Sequence, residues 1–108
     1  MTRNRKREIK ELIITLKYDE LLLNNEASKY ILEEHKYVIV KRVAIVKHCL
    51  DILKNKSEEL YSILEFKLIN DNSYTETARI YHHSEETVKR RVKEALMIIN
   101  DELKKFGI

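Results

Sequence analysis

Tyr37-Val38-Ile39-Val40-Lys41-Arg42-Val43-Ala44-Ile45-Val46 is the stretch on which the fold class turns: its density of β-branched residues suits a strand, while its spacing suits a helix. Followed on to Leu53, the apolar residues Ile39, Val43, Val46, Leu50 and Leu53 recur at steps of four and three, the seam of a helix packed on a neighbour. The chain has no second strand-like run for a sheet to pair with. The stretch is therefore expected to be helical, with Lys41, Lys47, Asp51 and Lys54 facing away from the seam. Val38, Ile45, Cys49 and Ile52 widen the apolar surface beyond what one neighbouring helix needs, which suits two packing partners or a dimer.

Composition agrees with an all-α reading. In 108 residues there is one glycine and no proline, so the punctuation that hairpins, β-sandwiches and phosphate loops require is missing. The length is also too short for a large catalytic fold. Lys plus Arg number 21 against 18 Asp plus Glu, a net charge of +3, so the total says little and the placement of charge matters more. Cys49 is the one cysteine, expected as a small core residue in a reducing compartment. No apolar leader follows the basic start, and no run approaches the ~20 apolar residues of a membrane span, so a cytoplasmic protein of a bacterial host cell, with no membrane partner, is expected. His35, His48, His82, His83 and Cys49 include no pair at the helical spacing that would put two ligands on one face, and no metal site is expected. No nucleophile stands beside a plausible base, so the chain reads as a non-enzyme without a cofactor.

Outward from the central stretch the chain divides into helices with local start and stop signals. Residues 5–23 carry Ile9, Leu12, Ile13, Leu16 and Leu23 on an amphipathic stripe, which Asn24-Asn25 is expected to end through the left-handed conformation that Asn tolerates. Residues 26–34 form a short segment with Ala27, Tyr30 and Ile31 on one face. Ser57, followed by Glu58-Glu59, is a helix N-cap with carboxylates in the first turn, and that helix should reach about Ile69, with Leu60, Tyr61, Leu64, Phe66, Leu68 and Ile69 inward. After the polar residues 70–73, Ser73-Tyr74-Thr75-Glu76 matches a reciprocal capping box and starts a helix at Tyr74. Ser84 with Glu85-Glu86 restarts a helix carrying Val88, Val92, Ala95, Leu96, Ile99 and Leu103 inward. Tyr30, Tyr37 and Tyr61 fall on apolar faces and read as core or interface. The expected architecture is a small helical bundle, with residues 1–54 as an oligomerisation or interaction segment and residues 55–108 as a C-terminal helix-turn-helix domain.

Two short-coupled helices, a small residue, Ala78, in the first, and exposed basic residues on the second make the helix-turn-helix pattern. The run from Ser73 through Ala78, the turn His82-His83, and Ser84-Glu85-Glu86-Thr87-Val88-Lys89-Arg90-Arg91-Val92-Lys93-Glu94-Ala95-Leu96 resembles region 4 of sigma factors. With the preceding helix and the ending Leu103-Lys104-Lys105-Phe106-Gly107-Ile108, the order of elements resembles the ArpU/RinA group of phage late-gene transcription regulators. Many such motifs have glycine and an aliphatic residue where this chain has His82-His83, which leaves open whether a histidine turns left-handed or the turn differs in shape.

The resemblance implies a regulator that reads double-stranded DNA through its last helix. Ser84, Glu86 and Thr87 would lie nearest the bases, and Lys89, Arg90 and Lys93 would neutralise phosphates or reach guanine edges. Arg91 would grip the backbone, with Thr75 and Arg79 on flanking phosphates. A homodimer, RNA polymerase and a regulatory protein are the further partners. Of two basic clusters outside the module, Arg3-Arg5-Lys6-Arg7 is the better candidate to extend the contact than Lys41-Arg42-Lys47. Two other readings stay open: a small terminase-like packaging subunit, and a sigma-mimicking module that binds protein without touching DNA.

Overall fold

The computed structural model describes the backbone of all 108 residues and every side chain except that of Ala27, so the expectation for Ala27 lies outside the described residues. It is all-helical. The elements are α1 (Arg3–Asn24), a 3₁₀ turn (Glu26–Tyr30), α2 (Glu33–Lys56), α3 (Glu58–Leu64) running into a π-helical turn (Glu65–Ile69), α4 (Tyr74–Tyr81) and α5 (Glu85–Lys104). There is no strand among the described residues.

Local chemistry accounts for the boundaries. Ser57, Ser73 and Ser84 each accept a backbone N–H three residues on, from Leu60, Glu76 and Thr87 at 3.2, 3.0 and 3.1 Å. Thr2 does the same for Arg5 at 3.1 Å, a cap that extends α1 two residues beyond its expected start. Two expectations are corrected. Asn25 ends α1 in an extended conformation, φ −95° and ψ 154°, so the break is not left-handed. At Ser73 only half of the capping box forms, because the Glu76 carboxylate turns to Arg79 instead of the Ser73 N–H.

One core joins all five helices: Ile9, Ile13 and Leu16 of α1; Ile45, Val46, Cys49, Leu50 and Leu53 of α2; Leu60, Ile63 and Leu64 of α3; Ala78 of α4; and the six expected residues of α5. Residues on both sides of position 54 thus share it. The α2 seam is corrected at one end: Ile39 and Val43 are only half-buried, while Ile45 and Cys49 are core. Packing against both α1 and the α3–α5 side makes the buried face of α2 wider than a two-helix seam. Ile63, missing from the expected inward set, is fully buried. The π turn, closed by the Asn70 N–H on the Glu65 carbonyl at 2.9 Å, shifts the side-chain phase and leaves Phe66, Leu68 and Ile69 half-buried.

Across α1 and α2, Arg42 donates two bonds to Asp19 at 2.8 and 2.9 Å, which raise its pKa, and Lys47 pairs with Glu20 at 2.8 Å. Two of the three cations in the second basic cluster are therefore already neutralised. Around the α1–α2 turn, large apolar side chains face solvent. Tyr30 is 81% exposed and Tyr37 69%, which removes both from the core, and Leu21, Leu32 and Val38 in the flanking sequence are exposed as well. No helix is long and apolar enough to cross a membrane among the described residues.

Candidate nucleic-acid interface

α4 and α5 are joined by only three residues, and the way α4 stops fixes how α5 leaves. His82 adopts the left-handed conformation, φ 56° and ψ 40°. Its N–H donates to the Arg79 carbonyl at 3.4 Å, and the His83 N–H donates to the Ala78 carbonyl at 3.0 Å. These two crossed bonds are a Schellman motif built on histidine where glycine is usual. Ser84 follows at once as the N-cap of α5. On the α4 side, Ala78 and Thr77 are buried and α4 packs on α5, which leaves no room for a bulky side chain at position 78. Thr77 Oγ1 donates to the Ser73 carbonyl at 2.7 Å, so its hydroxyl is satisfied inside the packed layer.

The turn is also anchored from α3. Glu59 Oε1 lies 3.2 Å from His83 Nε2 and 3.5 Å from Arg91 Nε, and Arg91 Nη1 lies 3.5 Å from Glu94 Oε2. Arg91 is thereby half-buried on the α3 side of α5. Thr75 Oγ1 donates to Glu85 Oε1 at 2.9 Å, linking the first turns of α4 and α5. Arg79 is bonded to Glu76; the guanidinium holds that carboxyl below the usual carboxylate range, and its own pKa is raised in return. Thr75, Arg79 and Arg91 are thus occupied within the protein. Ser84 Oγ donates to Thr87 Oγ1 at 3.0 Å, so these two hydroxyls are held together at the first turn of α5.

The other sequence-derived residues converge. Glu86, Lys89, Arg90 and Lys93 are exposed along α5 and line one shallow depression. None of these three cations has a carboxylate at ion-pairing distance among the described residues. Tyr74 of α4 forms part of the floor, its ring 5.6 Å from Lys89 Nζ and 4.5 Å from Lys67 Nζ. Tyr81 instead packs edge-on against Phe66, at 5.8 Å between ring centres, and burial raises its phenol pKa.

The far wall is α1. Lys6 and Lys10 line the same depression as Lys89 and Lys93. The expected N-terminal cluster is divided here, because Arg5 points elsewhere: its Nε donates to Asn100 Oδ1 at 2.7 Å and its Nη2 to the Ile108 carbonyl at 2.8 Å. Lys10 was not among the residues singled out from sequence, although its spacing from Arg3, Lys6 and Arg7 was there to be read.

Among the described residues no group of three or more His, Cys, Asp or Glu side chains gathers as a metal-holding cluster. The chain matches no family model, and no curated protein or solved structure matches it.

Proposed function

We propose that this chain is a sequence-specific DNA-binding transcriptional regulator in which α4 and α5 act as a helix-turn-helix of the sigma region 4 type. The N-terminal half of α5 enters the major groove of a promoter, with Ser84, Glu86 and Thr87 toward the bases and Lys89, Arg90 and Lys93 on phosphates or guanine edges. The observation that carries the reading is the set of unpaired cations on the exposed face of α5, directly after a three-residue turn over the buried Ala78. The resemblance to phage late-gene regulators makes activation of such genes the role to test first. The protein is a binder and not a catalyst in this account. The apolar side chains exposed at the α1–α2 turn support a protein contact there, through which a second copy, RNA polymerase or a regulatory protein would dock.

Binding-site selection from a random duplex pool tests the reading, with a Lys89→Ala/Arg90→Ala/Lys93→Ala variant alongside. An enriched motif that the variant fails to enrich is expected. Retention without enrichment would favour a packaging subunit, and no retention would favour a protein-only interaction module.

A further inference from the structure

We propose that the N-terminal half of α1 is a second contact for the DNA backbone, a ridge of Arg3, Lys6, Arg7 and Lys10 that grips phosphates beside the groove entered by α5. The inference rests on the reading of α5 as a duplex-binding helix and adds a separate element to it. The four residues stand at i, i+3, i+4 and i+7, so they share one helix face, and they line a common surface depression. Lys6 and Lys10 extend that face into the depression lined by Lys89, Arg90 and Lys93.

Charge is segregated onto this surface. Arg3, Lys6, Arg7, Lys10, Lys89, Arg90 and Lys93 against the single carboxylate Glu86 give a net +6. The whole chain carries +3, so everything else sums to −3. None of the four α1 cations has a carboxylate at ion-pairing distance among the described residues, unlike their neighbour Arg5, which pairs with Glu8 at 3.2 Å. Uncompensated charge of one sign on two adjoining walls is a surface for a polyanion.

The ridge is also held at a fixed offset from α5. Arg5, on the other side of the same helical turn, bonds to Asn100 of α5 and to the Ile108 carbonyl, so α1 cannot swing as a loose arm. Seven residues of helix rise about 10 Å, the axial span of about three phosphates on one DNA strand. A duplex is favoured over a membrane because the depression shared by all four ridge cations has no apolar residue in its lining, and in the adjoining one Val92 and Leu96 are buried and only the half-buried Tyr74 ring is presented, short of the apolar face that membrane insertion requires.

The test uses the full chain with Arg3→Gln/Lys6→Gln/Arg7→Gln/Lys10→Gln, which keeps much of the side-chain length and good helix formers, and a matched variant exchanging Lys for Arg and Arg for Lys. Circular dichroism checks that each folds. Affinity for the selected duplex and for a scrambled one is read by fluorescence anisotropy over a salt series. The Gln variant is expected to weaken both duplexes by the same factor, on the order of a hundredfold at about 0.15 M salt, with a salt slope shallower by about three units and the preferred sequence unchanged. The exchanged variant should bind like the parent. An unchanged slope in the Gln variant, while Lys89→Ala/Arg90→Ala/Lys93→Ala loses sequence preference, would overturn the ridge and leave the α5 reading standing. Failure of the parent to bind any duplex would overturn both. Loss of binding to vesicles of equal parts phosphatidylcholine and phosphatidylserine, with duplex affinity intact, would overturn the proposal in favour of a membrane surface.

Discussion

Replacing His82 by glycine should stabilise the protein, although it removes a whole side chain. At φ 56° the His82 Cβ crowds the backbone, which costs an L-residue roughly 1–2 kcal/mol. Glycine relieves that cost but frees the unfolded chain by roughly 0.5–1 kcal/mol. The His82 side chain is exposed and makes no hydrogen bond or ion pair among the described residues, so little else is lost. The balance is a gain of about 0.7 kcal/mol, which for a domain of this size raises Tm by roughly 3 °C. The protein contains its own control. Gly107 sits at φ +75° in the same crossed hydrogen-bond pattern, its N–H on the Lys104 carbonyl at 3.0 Å and the Ile108 N–H on the Leu103 carbonyl at 3.2 Å. A Cβ placed there would meet nothing within 4 Å, so Gly107→Ala should lose by backbone strain what His82→Gly gains. Thermal and urea melts followed by far-ultraviolet circular dichroism read both. A lower urea midpoint for His82→Gly at unchanged m-value would refute the left-handed turn and the helix geometry built on it.

Two further outcomes follow from the packing. Ala78→Leu should cost roughly 1–3 kcal/mol by overfilling the α4–α5 contact, seen as a lower Tm; an unchanged melt would mean the two helices are not packed at this position. Cys49 is fully buried, and burial first, with the Glu102 charge second, pushes its thiol pKa up to about 11. The neutral thiol is favoured in the folded state, so its contribution is complete below the ordinary thiol pKa and is lost as pH rises toward about 11. Alkylation at pH near 8, followed by mass spectrometry, should therefore be slow in the native protein and fast in urea; rapid native labelling would contradict the burial.

What was legible in the sequence was what local chemistry decides. Ser57, Ser73 and Ser84 announce helix starts because a hydroxyl caps its own first turn, and the α5 stripe from Val88 to Leu103 needs only periodicity. What depends on distant neighbours was not. Ile39 and Cys49 both look apolar and helical, and only the docking of α1 and α5 on α2 decides that Cys49 is covered and Ile39 half so. The π turn after α3 shifts Phe66 and Ile69 out of phase without announcing itself in composition. Arg5 and Lys6 look equivalent in a basic run, yet adjacent helix positions point about 100° apart. One ties α1 to Asn100 and the other faces the depression beside Lys89. Turn chemistry at His82-His83 was visible as a departure from glycine, and its left-handed resolution came from the hydrogen bonds to Ala78 and Arg79.

The central claim is that α5 reads sequence. Its most direct measurement is the ratio of affinities for a selected duplex and a scrambled one of the same length, in parent and in Lys89→Ala/Arg90→Ala/Lys93→Ala, at matched near-physiological salt. A ratio of about a thousand or more is expected in the parent, falling steeply in the variant while the helical signal is kept. A parent ratio near unity, or one that the variant leaves unchanged, would contradict it.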